Sequence, residues 1–147
     1  MARVTTYLNF MGNAEEAFEF YKEVFGTDYT VPIMRLGDVP PEPGQPELSP
    51  EQSQSVMHVE LPILAGHVLM ATDMVESMGH KLVVGNNTTI NLEPDTRDET
   101  ERLFRLLSEG GADTEALADM FWGSYWGTCL DRFGIRWMFN GPGLDAA

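Results

Sequence analysis

The sequence predicts an α+β fold built from two similar halves, about residues 1–74 and 86–147. Three observations predict it. A strand, a helix and three further strands occur in that order twice. Each helix stops at a glycine, Gly26 in the first half and Gly110 in the second. Residues 37–53 hold five prolines and have no counterpart in the shorter second half. An internal duplication is the simplest reading, with the proline-rich loop fitting part of the difference in length between the halves. Each half is expected to bury one sheet face under its own helix. The two remaining faces are then free to form a shared cavity.

Residues 4–10, VTTYLNF, are rich in β-branched and aromatic side chains and read as a strand. Asn13 is the expected N-cap of the helix that follows. Glu15 and Glu16 lie in its first turn, where the helix dipole favours acids. Ala14, Ala17, Phe18, Tyr21 and Phe25 recur at helical spacing. Residues 29–36 read as a second strand. Residues 37–53 read as a loop, because proline fixes φ and removes donors. Residues 55–61 and 67–72 are strands around a turn, and 73–85 connect the halves. The second half opens with a strand over 86–92, ended by Pro94 and Asp95. A helix over 96–109 should bury Leu103, Phe104, Leu106 and Leu107. Strands near 114–120, then over 125–130 and 135–140, complete the half. The turn Asp131-Arg132-Phe133-Gly134 joins the last two.

The 147 residues suffice for one domain with a core, and a hydrophobic content of 43% excludes disorder. A formal net charge of −14, with nine Lys and Arg, argues against nucleic acid and against an anionic membrane surface. No run approaches the ~20 apolar residues that span a bilayer. Residues 1–10 lack the apolar region of a signal peptide. Cys129 is the only cysteine, so the expectation is a cytoplasmic protein with a reduced thiol.

Three stretches together, YLNFMGNAEEAFEFYKEVFG, then MHVEL with GHVLMATD, then FWGSYWGTCLDRFGIRWMFN, resemble the PhnB-like branch of the glyoxalase/bleomycin-resistance (vicinal oxygen chelate) superfamily. Sequences of this branch carry the label demethylubiquinone methyltransferase-like. The resemblance covers nearly the whole chain. It implies two βαβββ modules whose mixed sheets cup a cavity with the helices outside, and it implies a homodimer. In metal-using members, the first and third strands of each module supply four ligands. Those positions match Thr6, His58, Thr89 and Met138 here. Only His58 is a good donor, since hard divalent ions prefer imidazole or carboxylate. No metal or other cofactor is therefore expected.

Strand alternation adds to this picture. With His58 facing the cavity, Val56 and Glu60 share its side, while Met57, Val59 and Leu61 face the helix. Asn87, Thr89 and Asn91 form a polar phase, as do Arg136, Met138 and Asn140. Ile135, Trp137 and Phe139 oppose the latter and read as core. Trp122, Tyr125 and Trp126, beside Gly123 and Gly127, are open between core, ligand wall and subunit contact. The candidate ligand-binding set is Thr6, His58, Glu60, Thr89, Asn91, Trp122, Tyr125, Arg136 and Met138. His58 and Glu60, two apart on a strand, share a face and can chelate an ion or exchange a proton. Arg136 can pair with Glu60 or hold an anion. His67 and His80 are expected to be solvated, and Cys129 to be a packed thiol.

The expected function is small-molecule binding, without a complete metal site and without an assigned reaction. The alternative is a metal-dependent lyase, isomerase or dioxygenase that uses His58 and Glu60. A methyltransferase would normally carry a glycine-rich turn between a strand and a helix, and no strand here is followed by one. An acidic, proline-rich contact surface for another protein is a further reading.

Overall fold

The first half of the chain shows how its residues build a sheet under a helix. β1 (Thr6–Phe10) leads into α1 (Ala14–Phe25), followed by β2 (Met34–Arg35), a short helix α2 (Pro50–Gln54), β3 (Val56–Pro62) and β4 (Val68–Asp73). The structure is a computed structural model, and it describes residues 1–144. The chain divides into two units, Met1–Val83 and Val84–Ala147. In the first, the strand order is β1-β4-β3-β2; β1 and β4 run parallel and the other pairs antiparallel. Ala14, Ala17, Phe18, Tyr21 and Val24 of α1 are buried, together with Val59, Leu61, Leu69 and Ala71 of the sheet. Phe10 meets Phe18 edge-on at 6.2 Å, and Phe18 meets Tyr21 at 5.7 Å. Burying each such ring contributes roughly 1.5–3 kcal/mol. Gly26 ends α1 at φ 64°, a left-handed angle that side chains resist.

Asn13 precedes α1, but its side chain caps nothing. Asp73, at the end of β4, does that work instead. Its buried carboxylate accepts from Ala14 N at 2.9 Å and from Val56 N at 2.8 Å, which ties α1, β3 and β4 together. β3 also departs from regular alternation. Met34 pairs with His58 and Arg35 with Val56, so Met57 is an extra residue, a β-bulge. Val56 is consequently 1% exposed and Met57 38% exposed, the reverse of the sides expected from strict alternation.

Three expected elements differ most. The strand expected over 29–36 shrinks to Met34–Arg35; Pro32 has no N–H to donate to a ladder. The expected loop over 37–53 contains the start of α2. Ser49 accepts from Gln52 N while Gln52 reaches back to Ser49 N, with Pro50 at the first helical position. That signature was present in the sequence as S-P-E-Q. In the second half, β5 covers only Ile90–Leu92 of the expected 86–92.

The second unit continues with α3 (Arg97–Ser108), β6 (Ala112–Asp119), β7 (Ser124–Leu130) and β8 (Arg136–Pro142), in the sheet order β5-β8-β7-β6. Again the outer pair β5–β8 is parallel and the rest antiparallel. Thr96 caps α3, its side chain accepting from Glu99 N at 3.1 Å. Thr100, Leu103 and Leu107 are buried, and Phe104 packs edge-on against Phe139 at 5.3 Å. A side chain at Gly141 would collide with Thr100, so glycine lets α3 lie close on β8. Trp137 and Phe139 are core, as expected. The Asp131 turn has a further role. Its carboxylate, 3% exposed, accepts from Phe133 N, Ile135 N and the Trp137 indole N–H at 2.8–3.0 Å. No helix among the described residues is long and apolar enough to cross a membrane.

Candidate functional site

Residues paired across neighbouring strands share a face, so register assigns the sides. In the first unit, Leu8 pairs with Ala71 and Ala71 with Val59, and Thr6 pairs with Leu69 and Leu69 with Leu61. These residues form the side covered by α1. Tyr7 pairs with Met70, and Met70 with Glu60. Tyr7, Met70, Glu60 and His58 therefore form the opposite side. Thr6, expected beside His58, stands on the helix side instead. There its hydroxyl lies 2.9 Å from His67 Nε2, so His67 has a partner. The strand register is one residue off the expected one, and Tyr7 takes the place proposed for Thr6.

On the face away from α1, a hydrogen-bonded chain runs across three strands. Tyr7 Oη lies 3.1 Å from His58 Nδ1, and His58 Nε2 lies 3.0 Å from Glu60 Oε1. Thr30 Oγ1 donates to Glu60 Oε2 at 3.4 Å. The rings of Tyr7 and His58 are 5.7 Å apart and tilted by 33°. The hydrogen bond from His58 holds the Glu60 carboxyl below its ordinary range, with the charge of Arg3 helping. Burial raises the Tyr7 phenol above its ordinary value, and the Glu60 charge adds to this. Tyr7 keeps its proton, and Glu60 keeps its charge. Sequence reasoning singled out His58 and Glu60 but missed Tyr7. The TTYLNF strand gave no local cue to which of Thr6 and Tyr7 faces which side.

In the second unit, Asn91 pairs with Met138 and Met138 with Thr128, while Trp126 pairs with Asn140. These residues line the face away from α3. Asn140 Nδ2 donates to Asn91 Oδ1 at 2.6 Å, so the expected polar phase is also a bonded pair. Arg136 donates to the Gly85 carbonyl at 3.1 Å and to Asp113 at 3.4 Å. Thr89 is exposed, one residue before β5. Tyr125 is on the other side of the sheet. Its hydroxyl donates to Glu101 of α3 at 2.9 Å, and the Arg97 guanidinium sits 3.7 Å over its ring. It is thus part of the α3 surface and not a neighbour of Met138. Trp126 faces the side expected for Tyr125.

Trp122 and Phe121 lie in the β6–β7 turn, 49% and 97% exposed, and Trp122 meets Trp126 edge-on at 6.1 Å. Cys129 is buried, and burial pushes its thiol up to about 12. His80 is exposed and accepts from Val75 N at 2.9 Å. Among the described residues, no group of three or more His, Cys, Asp or Glu is placed to hold a metal ion. Of the four expected ligand positions, Thr6 and His58 lie in the first unit and Thr89 and Met138 in the second.

The profile of the 3-demethylubiquinone-9 3-methyltransferase family matches residues 2–139. The crystal structure of protein PA1353 from Pseudomonas aeruginosa is 31% identical, with a TM-score of 0.79, and the match covers 97% of this chain and 98% of that one. The PhnB protein from Bacillus cereus, described as a putative 3-demethylubiquinone-9 3-methyltransferase, is 24% identical with a TM-score of 0.73, over 95% and 99% of the two chains. A glyoxylase/bleomycin resistance protein/dioxygenase domain from Frankia sp. EAN1pec shares the fold at 10% identity, with a TM-score of 0.63 over 99% and 95%. Two four-stranded mixed sheets, each under its own helix, with a profile match over nearly the whole length, place this chain in the PhnB-like 3-demethylubiquinone-9 3-methyltransferase family, on the glyoxalase/bleomycin-resistance fold.

Proposed function

We propose that this protein binds a small organic molecule on the open face of its first sheet, at Tyr7, His58 and Glu60. The hydrogen-bonded chain through those three side chains carries the reading. It is polar, half-exposed and turned away from the core, where a purely structural role would be wasted. The exposed side chain of Met34, paired with His58 across β2 and β3, gives an apolar neighbour. Asn91, Asn140, Arg136 and Met138 offer a comparable polar face in the second unit.

Two other readings have less support. Beside His58 and Glu60, no third His, Cys, Asp or Glu is placed to hold a metal ion among the described residues, which lends a metal-dependent enzyme less support. Methyl transfer, the reaction in the family's description, has no glycine-rich strand-to-helix turn to serve it, and fold does not carry function. A second copy of the chain is the proposed macromolecular partner. The exposed Phe121 and Trp122 on the β6–β7 turn suit it. Nine Lys and Arg against 23 Asp and Glu do not suit nucleic acid, and we place the protein in the cytoplasm on its single, buried cysteine.

The test combines two measurements on untagged protein, wild type and His58→Ala. Amide spectra are titrated with phenol, benzylamine and benzoate, and bound metal is measured by elemental analysis. The expected result is shifts confined to β1 and β3 that disappear in the variant, without stoichiometric metal. A divalent ion retained by wild type and lost with His58 would put the metal enzyme first. No shift with any probe would remove the binding reading.

A further inference from the structure

The Tyr7–His58–Glu60 chain has a fixed hydrogen-bond direction. An ionised carboxylate only accepts. Glu60 Oε1 is 3.0 Å from His58 Nε2, so the imidazole proton belongs on Nε2. In the neutral ring, Nδ1 is then a bare acceptor. It faces Tyr7 Oη at 3.1 Å, and the single hydroxyl proton of Tyr7 points to it. The end of the chain is therefore a phenolic oxygen that presents lone pairs outward. Tyr7 is 48% exposed as a residue, so this end of the chain of hydrogen bonds meets solvent. The Glu60 charge behind it, in a chain of net charge −14, disfavours anions. Met34, paired with His58 and 46% exposed, and the Tyr7 ring supply apolar surface on this face.

We propose that this face selects its ligand for a hydrogen-bond donor: a neutral or monocationic amine or alcohol that gives an N–H or O–H to Tyr7 Oη and lays an apolar body against Met34. This rests on the binding reading above and names the ligand class for it. A compound without a donor leaves the Tyr7 oxygen desolvated and unpaired, which is the penalty that discriminates.

Two measurements test it. The first needs no ligand: long-range proton–nitrogen spectra of His58 with its ring in the neutral form. A proton on Nε2 and a bare Nδ1 is expected, and a proton on Nδ1 overturns the proposal. The second compares benzylamine with benzyltrimethylammonium, which keeps the ring and the charge but has no donor. The affinity ratio of the two is measured for wild type and for Tyr7→Phe, which keeps the ring and removes the acceptor. The ratio should fall roughly three- to tenfold in the variant. An unchanged ratio overturns donor selection and leaves small-molecule binding standing. Failure of both probes to bind wild type overturns donor selection, and the binding reading then stands or falls with the phenol and benzoate titrations above.

Discussion

Asp73 and Asn13 compete for one task, and the distant residue performs it. Asn13 has the right chemistry next to the helix start, but Asp73, 59 residues from Ala14, supplies the acceptor. Both oxygens of Asp73 face backbone donors in a buried setting. Asp73→Asn sets an amide N–H₂ against one of those donors. It should cost about 1–3 kcal/mol in urea unfolding, whereas Asn13→Ala should cost under about 0.5 kcal/mol. Equal costs for the two would show that the cap is local after all. At this scale the sequence revealed residue types better than partners. His58 and Glu60 were legible because a two-residue spacing on a strand puts side chains on one face. Tyr7 was not, because a one-residue register difference exchanges faces, and only the pairing with Met70 decides it.

Helices were the more legible elements and short strands the less legible. α1 and α3 announce themselves by apolar periodicity that the surrounding packing reinforces. β2 and β5 are two and three residues long, too short to hold a period, and their ends are set by neighbours. α2 was missed although its capping box is written in the sequence, because five prolines nearby argued for a loop. One ion pair ties these pieces together. Arg35 of β2 donates to both carboxylate oxygens of Glu15 on α1, at 3.1 and 2.7 Å, and to the carbonyl of Gln54 in α2. The Arg35 hydrogen bond holds the Glu15 carboxyl below its ordinary value of 4.5. A depressed carboxyl stabilises the fold above that ordinary value, and the contribution fades as pH falls through the depressed one. Arg35→Gln should therefore lower the urea midpoint near neutral pH, and the gap from wild type should narrow in acid. A gap that stays constant down to the acid limit would mean that packing, not charge, joins β2 to α1.

At the scale of the whole molecule, the repeated order of elements was legible because order recurs even where sequence does not. The two units reuse one plan, a helix over the face of a four-stranded sheet with a parallel outer pair. The excess of acid has its own consequence. With 23 Asp and Glu against nine Lys and Arg, like charges repel more strongly in the folded chain than in the expanded one. Added sodium chloride should screen this and raise Tm over the range in which the Debye length shrinks from about 30 to about 10 Å. A Tm that falls with salt would make the ion pairs the dominant electrostatic effect. Relatives at 10% identity keep the fold, so many chains of different sequence satisfy this plan. A lost codon inside a strand ordinarily turns the core residues on one side of it to water. The bulge in β3 makes one position exempt. Without Met57, Val56 would still lie inward and His58 outward in plain alternation, so a gene that drops that codon should encode a folded protein with its open face intact. Loss of Val59, two positions on, should not fold at all, and near-ultraviolet circular dichroism of the two deletions would tell them apart.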